Sequence, residues 1–196
     1  VQSPQRAMGG RTVNGLPSNP YSTASQLLIT FLYSYYNTDP NDARFLTTNN
    51  LAVSRELYMQ VGGLDTKYLR AAAEDREFCD RWQQRGWKLT VVPEAVVYHE
   101  HEMSLRSFWR QHWNYGRGAW RYRLARAARE RGPVRIEPLG FYSRLLKMPI
   151  VSGLPTLQAL RLSALLLLTQ TANAGGFLTE RILSGTRSRP EDEAAL

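Results

Sequence analysis

The chain has 196 residues, of which 43% are hydrophobic and 21% charged; these values indicate one folded domain of ordinary size and exclude wholesale disorder or a collagen-like repeat. Its 25 lysines and arginines outnumber 17 acidic residues, and the net charge of +8 indicates an anionic partner: a phosphorylated ligand, an acidic lipid surface or nucleic acid. The single cysteine, Cys79, excludes an internal disulfide and a multi-cysteine zinc site, as is typical of a reducing compartment.

The first forty residues predict a strand followed by an amphipathic helix. Short apolar pieces around Met8 and Val13 indicate the strand, which is set among glycines and prolines. Ser22 is the predicted N-cap of the helix. Apolar residues then recur at three- and four-residue spacing on one helix face: Leu27, Leu28, Phe31, Leu32 and Tyr35. Turn-forming residues at 37–42 end the helix.

The next segment alternates short extended and helical pieces. Residues 45–48 and 51–54 are predicted to be extended, and residues 55–61 to form a short helix that ends at Gly62 and Gly63. A second helix is predicted at 74–85. It is followed by two strand pieces, 88–92 and 95–99, with a break between them at Pro93.

The C-terminal half is predicted to be helical. Ser104 can cap a long helix that runs to about Arg131, and residues 132–183 form a further helical region before a flexible tail at 184–196. The most apolar stretch, 154–174, is interrupted by polar and charged residues and falls short of a membrane-spanning helix. It can lie in a membrane interface or be buried against the domain, and the sequence leaves both open.

Two adjacent carboxylates, Glu74 and Asp75, form the first candidate site. They stand at the predicted start of a helix, where free backbone N–H groups and the helix dipole stabilise negative charge. We therefore expect an ionised, positioned carboxylate that can act as a general base. The alternative is that both side chains only cap the helix.

Two histidines, His99 and His101, form the second candidate site. Strand alternation puts both on one face at the end of a predicted strand, so both imidazoles can approach the same ion. Two histidines are a weak signal for a metal, and a structural role is the favoured interpretation of either one taken alone.

The third candidate is the segment 104–135, which carries nine arginines and one acidic residue among six aromatic side chains. The arginines are Arg106, Arg110, Arg117, Arg121, Arg123, Arg126, Arg129, Arg131 and Arg135. Their forked donors suit a diphosphate, an anionic lipid surface or nucleic acid, and Arg110 and Arg117 are the candidate diphosphate ligands. The alternative is a charge-rich helix exposed to solvent.

Four motifs occur in an order that resembles a known family. Phe45–Arg55 reads FLTTNNLAVSR, Val61–Asp65 reads VGGLD, Glu74-Asp75 precedes a helix, and Pro93–His99 reads PEAVVYH. This order resembles the acceptor-side half of the family 2 glycosyltransferases over roughly residues 5–120. The joint order of the four motifs is more specific than any one of them.

The resemblance implies an α/β fold: part of the GT-A nucleotide-diphospho-sugar transferase fold, here followed by a helical C-terminal extension. It implies that Asp75 is the general base of an inverting transfer, that Glu74 orients the acceptor, and that His99 completes the shell of a divalent metal ion, Mn²⁺ or Mg²⁺. It also implies a set of residues that line the acceptor side of the cleft: Asn49, Asn50, Gly62, Gly63 and Asp65.

One family motif is missing from the sequence. No Asp-x-Asp occurs among the 196 residues, so we expect a chain that lacks the nucleotide-binding half and is inactive by itself. We divide it into an acceptor-side half at 1–103, an arginine-rich helix at 104–131, a membrane-associated helical region at 132–183 and a tail at 184–196.

The expected function of the intact protein is transfer of a sugar from a nucleotide-diphosphate donor to a hydroxyl of a glycan or lipid-linked acceptor. A cytoplasmic location, including the cytoplasmic face of a membrane, suits such a peripheral enzyme. Nucleic acid is the less favoured partner. The alternative function is a non-catalytic basic module that binds anionic lipid or nucleic acid through residues 104–135.

Overall fold

A computed structural model describes residues 5–68 and 72–187. Three strands form one sheet: β1 (Arg6–Asn14), β2 (Leu51–Ala52) and β3 (Lys88–His99). The α-helices are α1 (Pro20–Tyr36), α2 (Arg55–Val61), α3 (Glu74–Gln84), α4 (Leu105–Glu130), α5 (Leu139–Val151) and α6 (Thr156–Arg187). The architecture is a small α/β unit followed by a helical extension, as the sequence predicts.

The sheet has the order β2-β1-β3, with β1 antiparallel to β2 and parallel to β3. The prediction of two strand pieces around Pro93 is wrong, because β3 is continuous and only its pairing with β1 is irregular there. The Asn50 amide bridges this irregular stretch by donating to the carbonyl oxygens of Arg11 and Ala95, both at 3.0 Å. A Cβ at Gly10 would lie 1.9 Å from the Ala95 oxygen, so the strands approach this closely only with glycine there.

Helix α1 begins earlier than predicted. Asn19, not Ser22, is its N-cap, and the Asn19 Oδ1 atom accepts hydrogen bonds from the backbone N–H groups of Tyr21 and Ser22, both at 3.0 Å. The Ser22 hydroxyl instead donates to the carbonyl oxygen of His101. Ser22, predicted as the cap, thus links α1 to the segment that follows β3.

The extended pieces predicted at 45–48 and 51–54 are largely wrong. Only Leu51–Ala52 pairs as a strand, and Thr48–Asn50 forms a 3₁₀ turn. Side-chain bonds hold the chain here, since the Tyr33 hydroxyl accepts from the Thr47 N–H at 2.9 Å. The predictions for α2, α3 and the Ser104 cap of α4 are confirmed, the last as a capping box with Ser107.

Three hydrophobic clusters hold the described residues together. The first lies between the sheet and helices α2 and α3 and contains Ala7, Ala43, Leu46, Leu57, Val61, Phe78, Cys79, Trp82 and Leu89. The second joins α1 to α5 and α6 through Leu28, Phe31, Phe141, Leu145 and Leu166. The third contains Ala24, Met103, Phe108 and Leu162 and joins α1, α4 and α6 at the segment that follows β3.

Helix α6 has one buried and one exposed apolar side. Leu162 and Leu166 are buried, whereas Leu157, Leu160 and Leu167 are exposed. The predicted flexible tail is wrong for residues 184–187, which belong to α6, and its remainder lies outside the described residues. Among the helices of the described residues, none is long and apolar enough to cross a membrane.

Candidate active site

A cavity of about 700 Å³ lies where the sheet meets the helical extension. Its walls come from α1, the start of α3, the end of β3 and the helices α4, α5 and α6. Six of the residues selected from the sequence line it: Asn49, Glu74, Asp75, His99, His101 and Arg123. The fold thus brings both carboxylates and the strand-end histidine to one space.

Asp75 lies in the first turn of α3, and its Oδ1 atom accepts a hydrogen bond from the Arg76 N–H at 2.7 Å. Burial, followed by the negative charge of Glu74, raises the pKa of Asp75 to about 7. The expectation that the helix start keeps this carboxylate firmly ionised is therefore wrong, because desolvation outweighs the helix terminus. A carboxylate that titrates near neutrality is suited to taking up a proton.

Glu74 presents an unsatisfied oxygen to the cavity. Its Oε2 atom is buried and has no hydrogen-bond partner. Nor does it cap the helix: the N-cap is Ala73, in the left-handed conformation (φ 70°), and no side chain caps this end. A buried carboxylate oxygen without a partner is costly, and a bound hydroxyl group would satisfy it.

Two cavity residues near the carboxylates escaped the sequence analysis. Arg76 stacks on the Tyr36 ring, with its guanidinium carbon 4.5 Å from the ring centroid, and also faces Phe45 and Tyr122. Tyr115 of α4 is half-buried, and desolvation together with the charges of Asp75 and Glu74 raises the pKa of its hydroxyl. Adjacency to the carboxylate pair could have singled out Arg76, but no sequence signal places Tyr115 there.

His99 and His101 lie side by side on the cavity wall, with ring centroids 5.6 Å apart. The expectation that strand alternation directs both rings to one side is confirmed. Within residues 5–68 and 72–187, no group of three or more His, Cys, Asp or Glu side chains can hold a metal ion. The pair therefore offers at most two nitrogen ligands.

The two asparagines selected from the sequence have different surroundings. Asn49 lines the cavity, and its Oδ1 atom accepts from the hydroxyls of Thr47 at 2.6 Å and Thr12 at 3.2 Å. Asn50 does not line it and bridges β1 and β3 instead. Of these two asparagines, only Asn49 is placed to contact a ligand in the cavity.

The Gly-Gly-Leu-Asp turn lies outside the cavity lining. Arg81 donates to the carbonyl oxygen of Gly63 at 2.6 Å and approaches Gly62, and the Asp65 carboxylate accepts from the Lys67 N–H at 2.9 Å. These contacts hold the turn between α2 and α3 and bring none of its residues to the carboxylate pair.

Most arginines of α4 are neutralised by acidic side chains of other elements. Arg117 and Arg121 both bind Glu180 at 2.7 Å, and Arg129 binds Glu77 at 2.9 Å and Asp80 at 2.5 Å. The segment therefore carries less free positive charge than its sequence indicates. Arg110, the other candidate diphosphate ligand, is exposed on α4 and, like Arg117, does not line the cavity.

Comparison with known proteins gives one family. No curated protein and no solved structure matches the chain. The model of the family described as "Glycosyl transferase family group 2" matches residues 12–178. This range includes every residue that lines the cavity except Arg181. The match covers more than half of the chain, so the chain belongs to glycosyl transferase family group 2.

Proposed function

We propose that the intact protein transfers a sugar from a nucleotide-diphosphate donor to an acceptor hydroxyl with inversion, and that Asp75 is the general base. Family membership supports glycosyl transfer in general, with a nucleotide-sugar donor and an acceptor. The observation that carries the assignment of the base is the buried Asp75 carboxylate in the cavity, whose pKa is raised to about 7. Such a group is half ionised near neutral pH and gains a proton readily.

In this mechanism Asp75 accepts the proton of the acceptor hydroxyl. The freed oxygen forms a bond to the anomeric carbon of the donor sugar, while the bond from that carbon to the diphosphate oxygen breaks. Its electron pair leaves with the nucleoside diphosphate. A single displacement of this kind inverts the anomeric configuration. The unpartnered Oε2 atom of Glu74 accepts a hydrogen bond from a second acceptor hydroxyl and orients the acceptor.

We further propose that His99, with His101 beside it, would hold a divalent metal ion such as Mn²⁺. Neutral imidazole nitrogens suit Mn²⁺ better than Mg²⁺, which prefers oxygen. The bound ion would offset negative charge on the diphosphate, whose oxygens would complete the two-histidine set. The acceptor role of Asn49 rests on its place in the cavity. The roles of Asn50, Gly62, Gly63, Asp65, Arg110 and Arg117 stay predictions.

The decisive experiment is Asp75→Asn in the full-length protein, since asparagine keeps the shape of the side chain and removes the base. Release of nucleoside diphosphate from a panel of nucleotide-sugars identifies the donor and then measures turnover. We expect turnover to fall about 10²–10⁴-fold. Asp42→Asn, at an exposed carboxylate paired with Lys88, is the matched control. Near-normal turnover in Asp75→Asn would contradict the assignment.

We also propose that the protein works at the cytoplasmic face of a membrane, which it contacts through the outer α5–α6 face. This face consists of six exposed apolar residues, Leu139, Ile150, Val151, Leu157, Leu160 and Leu167, interspersed with three cations, Arg144, Lys147 and Arg161. Apolar groups among cations, with no acidic residue, are typical of a surface that rests on anionic lipid.

Vesicle flotation tests this contact. Wild-type protein should float with vesicles that contain anionic lipid, and the double variant Val151→Asp/Leu157→Asp should not, because it puts carboxylates at two highly exposed positions (78% and 82%). Met59→Asp, at an exposed apolar position of α2, should float like the wild type. Failure of the wild type to float with any vesicle would refute the contact.

A further inference from the structure

The cavity is elongated and runs along one face of α1. The α1 residues that line it include Ser22, Gln26, Ile29, Leu32 and Tyr36, at the three- and four-residue spacing of one helix face. They span fourteen residue steps, or about 21 Å at the rise of an α-helix. A space of this length exceeds what a single sugar ring requires.

The chemistry of the lining changes along α1. The N-terminal part contributes Ser22, Ser25 and Gln26, and the C-terminal part contributes Leu28, Ile29 and Leu32. The second part continues into an apolar arm whose other lining residues are Ala119, Ile136, Phe141, Tyr142, Ala174, Phe177 and Leu178. The first end of the cavity is therefore polar and the arm is mostly apolar. The polar lining residues of the second half of α4, the loop before α5 and α6 are Arg123, Glu137, Gln170, Asn173 and Arg181.

Helix α4 contributes lining residues at both ends of the cavity. At the polar end Gln111 of α4 donates to the Ser25 hydroxyl at 3.2 Å. At the other end Arg123 of α4 lies 3.5 Å from Glu137, which also accepts from the Tyr36 hydroxyl at 2.6 Å. The charged side chain that α4 contributes at this end is thus paired with Glu137.

The carboxylate pair lies between the two ends. Tyr115 feels the charges of Asp75 and Glu74, and on α4 it stands between Gln111 of the polar end and Ala119 of the arm. The arm thus begins next to the carboxylates. A ligand whose hydroxyl reaches Asp75 can extend directly into it.

The arm leaves apolar surface uncovered. Ile136 and Leu178 line it with 63% and 53% of their surface exposed, and Ile136 is three residues before Leu139 of the outer α5–α6 face. Arg181, at the same end, is exposed and lies over the Trp120 ring, 5.8 Å from its centroid. Uncovered apolar surface continuous with a functional cavity indicates an apolar ligand segment.

We propose that the acceptor is an amphiphile, with a hydroxyl-bearing head at Glu74 and Asp75 and a hydrocarbon chain in the apolar arm. This inference rests on the proposed function and selects the lipid-linked class of acceptor over a free glycan. The chain adds binding energy from methylenes that leave water, and the head supplies the hydroxyl that reacts.

The test is binding of hexyl, octyl and decyl β-D-glucoside to the full-length protein, below their micelle concentrations, by isothermal titration calorimetry. Affinity should rise about fourfold per methylene until the chain outgrows the arm. Ala174→Phe, at an exposed position that lines the arm, should abolish this rise. Ala128→Phe, an exposed α4 alanine outside the lining, should preserve it.

A second variant, Leu178→Asn, keeps the test valid if Ala174→Phe does not fold, and it should also flatten the series. The proposal would be overturned if affinity rose equally with chain length in the wild type and both arm variants. It would also be overturned if affinity in the wild type did not depend on chain length. The outcome is separate from that of the Asp75→Asn assay. A flat series with an inactive Asp75→Asn refutes only the amphiphile, and a steep series with an active Asp75→Asn refutes only the base.

Discussion

The first turn of α3 and the arginine-rich helix α4 are both densely charged, but they differ in whether their charged groups have partners. At the start of α3 the Glu74 Oε2 atom has no partner, and burial drives the pKa of Asp75 towards neutrality. Along α4, five arginines form ion pairs with acidic side chains. These acids belong to α3, to α6, to the loop before α5 (Glu137) and to α4 itself. Unsatisfied buried charge marks the candidate site, and satisfied charge marks the scaffold around it.

The largest expected effect follows from the pH dependence of Asp75. In the proposed mechanism transfer requires the ionised carboxylate, so turnover should rise with pH up to about 7 and be about a hundredfold below its plateau at pH 5. Rate measurements from pH 5 to pH 8 test this. A pH-independent rate over that range would contradict a base with this pKa.

The stability of the protein should change in the opposite direction over the same range. The pKa of Asp75 is raised from 3.8 to about 7 in the folded state, so the native state binds more protons than the unfolded state between these values. Its contribution to stability is complete below pH 4 and is lost as pH rises through 7. Urea unfolding should show this loss in the wild type and not in Asp75→Asn.

A smaller effect is expected from breaking the charge network between α3 and α4. Glu77 is only 3% exposed. Its carboxylate accepts hydrogen bonds from Arg81 at 2.8 Å and Arg129 at 2.9 Å. Glu77→Gln removes a buried carboxylate and leaves the partly exposed guanidinium groups of Arg81 and Arg129 short of a counter-charge, so it should lower the free energy of unfolding by about 3 kcal/mol. Turnover of the folded fraction should be nearly unchanged.

The matched control for Glu77→Gln is Glu130→Gln. Glu130 binds Arg126 at 2.7 Å in a half-exposed pair four residues apart on one helix. Removal of such a pair should cost less than about 0.5 kcal/mol. Equal losses in the two variants, or a loss of turnover in folded Glu77→Gln, would break the distinction between scaffold and site.

The smallest of these effects is expected where α4 touches α6. A Cβ at Gly116 would lie 2.0 Å from the backbone oxygen of Asn173, so Gly116→Ala forces the helices apart and should cost about 1–3 kcal/mol. Gly140→Ala in α5 meets no atom within 4 Å and should be neutral or stabilise by up to about 1 kcal/mol. Thermal unfolding compares them, and an unchanged Gly116→Ala would show that close helix contact is not required.

Local sequence signals suffice to predict most of the helices, the family and the main candidate residues. Periodicity and capping residues are local signals, so α2, α3 and the start of α4 could be read directly, and motif order identified Glu74, Asp75 and His99. The N-cap of α1 was misread because Asn19 and Ser22 are both good caps, and only the backbone conformation distinguishes them.

Which charged groups lack a partner depends on the tertiary structure. Whether an arginine of α4 meets Glu180, or a carboxylate of α3 is buried without a partner, depends on residues distant in the chain. Desolvation arises from everything packed around a group, so local spacing predicted the position of Asp75 but not its raised pKa. The apolar arm has the same origin, because its walls come from separate helices that meet only in the folded chain.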